Sequence, residues 1–146
     1  MKKQLLFAFA IFGFATFTYA QDISDNAIGL RLGDSDGFGA EVSYQRALGD
    51  NNRLEVDLGW RNDGFKLAGL YQWVWVLDGD FNWYAGAGGG IASYNETFIF
   101  AAGDIGIEYN FDIPLQLSLD FRPELGFGDY GDDLGFDIGL GIRYRF

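Results

Sequence analysis

The sequence predicts an all-β protein, an eight-stranded antiparallel up-and-down transmembrane β-barrel preceded by a cleavable signal peptide. Three observations carry this expectation. Short segments alternate apolar and polar residues with period two, and no stretch after residue 20 shows a helical period. The segments number eight, and the Gly/Asp/Asn clusters between them are too short for parallel crossovers. The chain also has room for them: removing residues 1–20 from its 146 leaves 126, and eight membrane-crossing strands of ~9–11 residues use about 80. The domain organisation is therefore a signal peptide, 1–20, and one barrel, 21–146.

The signal peptide is read from a basic pair, Lys2 and Lys3, an apolar run from Leu5 to Phe14, and small residues at the −3 and −1 positions of Thr18-Tyr19-Ala20 before Gln21. A membrane anchor is the competing reading. The run is short for a bilayer and ends in a cleavable pattern rather than a basic stop signal. No cysteine follows the site, which excludes a lipoprotein anchor. The expected address is the bacterial outer membrane, reached through Sec-type export.

The eight expected segments are 26–33, 37–47, 53–62, 64–77, 81–94, 98–111, 115–127 and 134–146. The first places Arg31, and the second Glu41, on a polar face. The third sets Leu54, Val56, Leu58 and Trp60 against Arg53, Glu55, Asp57, Gly59 and Arg61. The fourth carries Lys66 opposite an aromatic face with Trp73 and Trp75. The fifth contains the run Gly86–Gly90, which lacks the lysine of a phosphate loop and is read as making room for opposing Tyr or Arg side chains. The sixth sets Ile105, Ile107, Tyr109 and Phe111 against Asp104, Gly106, Glu108 and Asn110, with a parity slip through a bulge expected over Phe98–Ala102. The seventh sets Leu115, Leu117, Leu119, Phe121, Leu125 and Phe127 against Gln116, Ser118, Asp120, Arg122, Glu124 and Gly126. The eighth is the cleanest: Leu134, Phe136, Ile138, Leu140, Ile142, Tyr144 and Phe146 on one face, and Gly135, Asp137, Gly139, Gly141, Arg143 and Arg145 on the other.

Such alternation fits a soluble barrel or carrier with its oily face inward, or a membrane barrel with its oily face to lipid. Three features favour the second. The charged faces carry both signs among many glycines, as a crowded interior requires. Aromatic residues (Tyr44, Trp73, Trp75, Phe81, Trp83, Tyr109, Phe111, Tyr144 and Phe146) gather toward one set of strand ends, as at a membrane interface. The chain also stops on an aromatic residue. By parity the lumen receives the acids Glu41, Glu55, Asp57, Asp104, Glu108, Asp120, Glu124 and Asp137 and the bases Arg31, Arg53, Arg61, Lys66, Arg122, Arg143 and Arg145. Eight against seven is near balance, although the net charge is −11, or −13 without Lys2 and Lys3. The negative excess is thus expected in the loops, and the interior as a paired network.

Composition removes several functions. With no Cys and no His there is no thiolate or imidazole metal site and no Ser-His or Cys-His pair. The expectation is no enzyme and no cofactor. Paired carboxylates such as Glu55/Asp57 lie in an interior too narrow for substrate. A chain this acidic has no nucleic-acid footprint. The acidic outer loops, around Asp34/Asp36, Asp63, Glu96 and Asp129/Asp132/Asp133, read as solvated segments, with divalent-cation bridging as the functional alternative.

The signal peptide, the eight hairpin-connected strands and the final run Gly141-Ile142-Arg143-Tyr144-Arg145-Phe146 resemble small outer-membrane β-barrels of the OmpA/OmpX type, within the outer membrane protein beta-barrel domain family. The resemblance implies that Gly141, Tyr144 and Phe146 belong to a C-terminal signal read by the barrel assembly machinery; its polar position falls on Gly139, a departure. The resemblance further implies outer-membrane lipid as partner. The short connections depart from the projecting strands of OmpX-type proteins, and the peptidoglycan-binding domain of OmpA proper is not expected. The function read from all this is a monomeric structural barrel with a side-chain-plugged lumen, serving envelope integrity or surface interaction. The alternative is a narrow porin-like channel for ions or very small solutes.

Overall fold

The computed structural model describes residues 23–33, 39–61, 63–94, 96–127 and 133–146. The expected signal peptide and the loop acids Asp34, Asp36, Asp129 and Asp132 lie outside the described residues. Eight strands follow one another: β1 (Asn26–Leu32), β2 (Ala40–Ala47), β3 (Asn52–Arg61), β4 (Gly64–Asp78), β5 (Phe81–Tyr94), β6 (Glu96–Asn110), β7 (Leu115–Phe127) and β8 (Asp133–Arg145). Each pairs antiparallel with the next, and β1 pairs with β8, so the sheet is a closed barrel without edges.

Closure fixes two rims. The β2–β3, β4–β5 and β6–β7 turns share one rim with both ends of the barrel, called here the terminal rim. The other four connections form the hairpin rim. At the terminal rim the β4–β5 register shifts between Val76 and Asp78, and Gly79 takes a φ of 56°, a left-handed conformation suited to glycine.

Burial is inverted relative to a soluble domain. Among the described residues eighteen polar or charged side chains are buried against eight apolar ones, while Trp60, Phe136, Ile138 and Leu134 are more than 60% exposed. Because strand side chains alternate, one choice of face places every second residue in the lumen.

Two sequence-based expectations change here. No parity slip occurs in β6: Ile99, Ala101 and Ile105 keep their register with Phe127, Leu125 and Phe121. Phe100 and Ala102 therefore point inward and join Ala68, Leu70 and Ala92 in an apolar cluster, with Tyr94 and Phe98 against it. The inward glycines of β5 also have a different cause. A Cβ at Gly86, Gly88 or Gly90 would overlap the main-chain oxygens of Tyr71, Gly69 and Leu67 on β4. They permit close approach of backbone to backbone, and the opposing side chains they also make room for are Phe100 at Gly90 and Gln72 at Gly86 rather than Tyr or Arg.

Candidate functional site in the barrel lumen

The lumen is crossed by guanidinium groups, two of which, Arg31 and Arg122, each collect several carboxylates. Arg31 on β1 donates from Nη2 to Asp120 Oδ1 (2.5 Å), from Nη1 to Asp137 Oδ2 (2.6 Å) and from Nη1 to Glu41 Oε1 (3.0 Å). It thereby joins β1 to β7, β8 and β2. Its guanidinium lies over Gly139, where a Cβ would meet Nε and Nη2 at 2.5 Å. Position 139 is thus a glycine because an arginine occupies the space a side chain would need.

Arg122 on β7 reaches β3, donating from Nη2 to Asp57 Oδ2 (2.6 Å) and Glu55 Oε1 (3.2 Å), with Glu41 Oε2 3.9 Å from Nη1. Arg143 on β8 donates to Ser43 Oγ and Ser118 Oγ and lies 3.4 Å from Glu55. Arg53 on β3 pairs with Glu108 (2.8 Å), donates to Gln72 Oε1 (2.7 Å) and sits 4.9 Å from the centre of the Tyr84 ring. A planar fork with five donors suits such sharing, and a lysine could not reproduce it. Lys66 on β4 instead meets Glu124 on β7 at 2.5 Å, above the Phe100 ring.

Uncharged partners that the charge pattern did not single out complete the network. Gln45 and Gln72 both donate to Glu55 Oε2, Gln72 also donates to Asp104 Oδ2, and Asn82 donates to Glu108. They share the inward parity of the charged residues, which was the signal available in the sequence.

Two of the expected lumen charges stand at the ends instead. Arg61, near the hairpin rim, pairs with Asp63 at 2.8 Å and is about one-third exposed. Arg145, at the terminal rim, donates to the main-chain oxygens of Phe111 and Ile113. Both keep the inward parity, but parity does not report height in the barrel. Without them the interior holds, among the described residues, eight carboxylates against five cations rather than near balance. Asp104 shows the excess: it is 5% exposed, its Oδ1 has no hydrogen-bond partner, and its Oδ2 accepts only from an amide.

The outward face ends in the aromatic belt expected at the terminal rim. Trp75 stacks on Trp83 at 4.3 Å, Phe81 packs edge-on to Tyr109 at 4.7 Å, and Tyr109 does the same with Phe111. Tyr144 lies 6.1 Å from Phe146 on the last strand. Among the described residues no group of three or more carboxylates is arranged to hold a metal ion.

A closed eight-stranded ring, polar within and apolar without, is a fold of the transmembrane β-barrel type. Two solved structures similar to it are designed proteins. One, described as "De novo design of transmembrane beta-barrels", is 21% identical with a TM-score of 0.61, over 88% of this chain and 100% of that one. Another, "Solution NMR structure of de novo designed TMB2.3", is 16% identical with a TM-score of 0.58, over 88% of this chain and 98% of that one. Both likenesses are of fold. No protein-family model and no curated protein matches the chain.

Proposed function

We propose that the chain is a structural β-barrel of a bacterial outer membrane, monomeric, with a lumen plugged by its own side chains, serving envelope integrity or surface interaction. The observation that carries this reading is the crossing of the lumen from wall to wall. Arg31, Arg122 and the Lys66–Glu124 pair join strands that are not neighbours, and Leu70, Phe100 and the alanines around them fill the space beside these crossings. A cavity lined by Ser24, Gln45, Arg53, Glu108, Asn110 and Gln116 at the terminal rim has a volume of about 10 Å³, room for about one water. Lipid is the partner of the exposed apolar face, and the aromatic belt fits a membrane interface. By analogy with OmpA/OmpX-type proteins, the terminal rim is periplasmic and the assembly machinery reads Gly141, Tyr144 and Phe146.

One observation favours the channel alternative. Arg122 Nε and Nη1 and Glu41 Oε2 are buried without hydrogen-bond partners, so this arginine has donors to spare for an exchange of carboxylates. Single-channel recording of refolded protein in a planar bilayer decides between the two. The structural reading expects no steady conductance; a stable conducting level in the wild type overturns it.

A further inference from the structure

We infer that Arg31 is the latch that commits closure of the barrel, at the seam between β1 and β8. Seven of the eight ladders join strands adjacent in sequence, and β1–β8 alone joins the two ends of the chain. Contacts distant in sequence form after local ones, because their loop-closure entropy is not offset until they are made. The seam is therefore the last ladder to form, and an open sheet carries the unpaired edges of β1 and β8 until then.

Arg31 distinguishes the two states. In an open sheet it has Glu41 beside it, its direct partner on the β1–β2 ladder. Only when β8 arrives does it gain Asp137, 106 positions away, and Asp120, 89 positions away on β7. The β8 surface beneath it is cleared by Gly139, and Gly33 clears the same corner on the β1 side, where a Cβ would come within 2.8 Å of Asp137 Oδ1. A group that bonds one carboxylate in the open state and three in the closed state shifts the equilibrium toward closure by the difference. Arg53 does not share this role, since its contacts, to Gln72 and Glu108, lie on β4 and β6, away from the seam. Arg143 on β8 does span the seam, to Ser43 on β2 and Glu55 on β3, but it meets one carboxylate, at 3.4 Å, where Arg31 meets three.

The test is refolding of the full chain into phosphocholine micelles, followed on a gel of unboiled samples, where the closed barrel is expected to run as a compact band that boiling abolishes. Arg31→Gln should slow the appearance of that band at least tenfold, and Asp137→Asn should slow it less, in the same direction. Because the chain has no cysteine, a single disulfide can replace the latch. Leu30→Cys with Ile142→Cys, direct partners across the seam, should return Arg31→Gln to within about twofold of the wild-type rate when oxidised. The same bridge placed between Val56→Cys and Gly69→Cys on β3–β4 should not. Closure of Arg31→Gln at the wild-type rate overturns the latch. So does failure of the seam disulfide to recover it, or equal recovery by the β3–β4 disulfide. If Arg31→Gln yields no compact band at all, the oxidised seam variant carries the decision alone.

Discussion

Lys66 and Glu124 touch across the lumen, Nζ to Oε2 at 2.5 Å, although β4 and β7 share no ladder. Lys66 is fully buried and Glu124 nearly so, with the Phe100 ring beside the ammonium. Breaking such a pair leaves a buried ion, whereas replacing both partners with apolar groups can be neutral. Lys66→Ala is therefore expected to lower stability by about 3–5 kcal/mol. Lys66→Met with Glu124→Leu should recover most of that loss, as measured by denaturant unfolding in detergent. A double variant as weak as the single one argues against an ion pair that apolar side chains can replace.

The carboxylate excess makes a second prediction. Asp104 has no cation within ion-pairing distance among the described residues, and Gln72 serves one of its oxygens. Asp104→Asn keeps that acceptor and removes an uncompensated charge, so stability should hold or rise by up to about 1 kcal/mol. Asp57→Asn weakens the Arg122 contact at 2.6 Å and should lower stability. The order of the two unfolding midpoints checks this.

A third concerns glycine. Gly88→Ala places a Cβ against the main-chain oxygen of Gly69, which cannot move aside without bending β4. Among the described residues nothing lies within 4 Å of that position at Gly69 and Gly135, and alanine there should change stability by no more than about 0.5 kcal/mol. The fraction of chain reaching the compact band should fall for Gly88→Ala alone.

Arg143 and Arg145 separate interior from rim. Arg143→Ala strips two buried serine hydroxyls of a charged donor and Glu55 of a neighbour, and should cost several kcal/mol. Arg145→Ala removes bonds to turn carbonyls that water can replace, and about 1 kcal/mol is expected. Equal losses would place both arginines at the same depth and contradict the register.

Changing Tyr144 and Phe146 together to Ala should reduce assembly in the outer membrane more than stability in vitro. Tyr144 is 56% and Phe146 58% exposed on the outer wall, so little packing is lost. Normal surface levels of the double variant would remove the assembly role.

The strands were legible because membrane and lumen impose opposite demands on alternate residues, so β3, β7 and β8 could be read with nearly their observed limits. The same clarity hid the apolar cluster. Over Phe98–Ala102 apolar residues stand at both parities, so the alternation alone suggests a bulge there. The register shows continuous parity and a lumen that is oily on its β4–β6 side. Parity tells which charged residues face inward but not their height, as Arg61 and Arg145 at the rims show, and which carboxylate each arginine takes depends on strand stagger, which no single strand encodes. Leu70, Val74 and Tyr84, all buried, were missed because apolar and aromatic side chains inside a barrel look like ordinary strand composition.

The wall of the barrel is uneven in height. β1 has seven residues and β2 eight, against fifteen in β4 and β6. At about 3.4 Å per residue that is roughly 24 Å of strand on one side and roughly 51 Å on the other. Strand tilt shortens both, and the outward apolar residues follow the same inequality: Ile28, Leu30 and Leu32 on β1, but Phe65 through Trp75 on β4. In a bilayer, lipid beside β1 and β2 would have to thin to match the shorter oily band, and lipid beside β4 and β6 would not; a one-sided preference for short-chain lipid is the expected consequence.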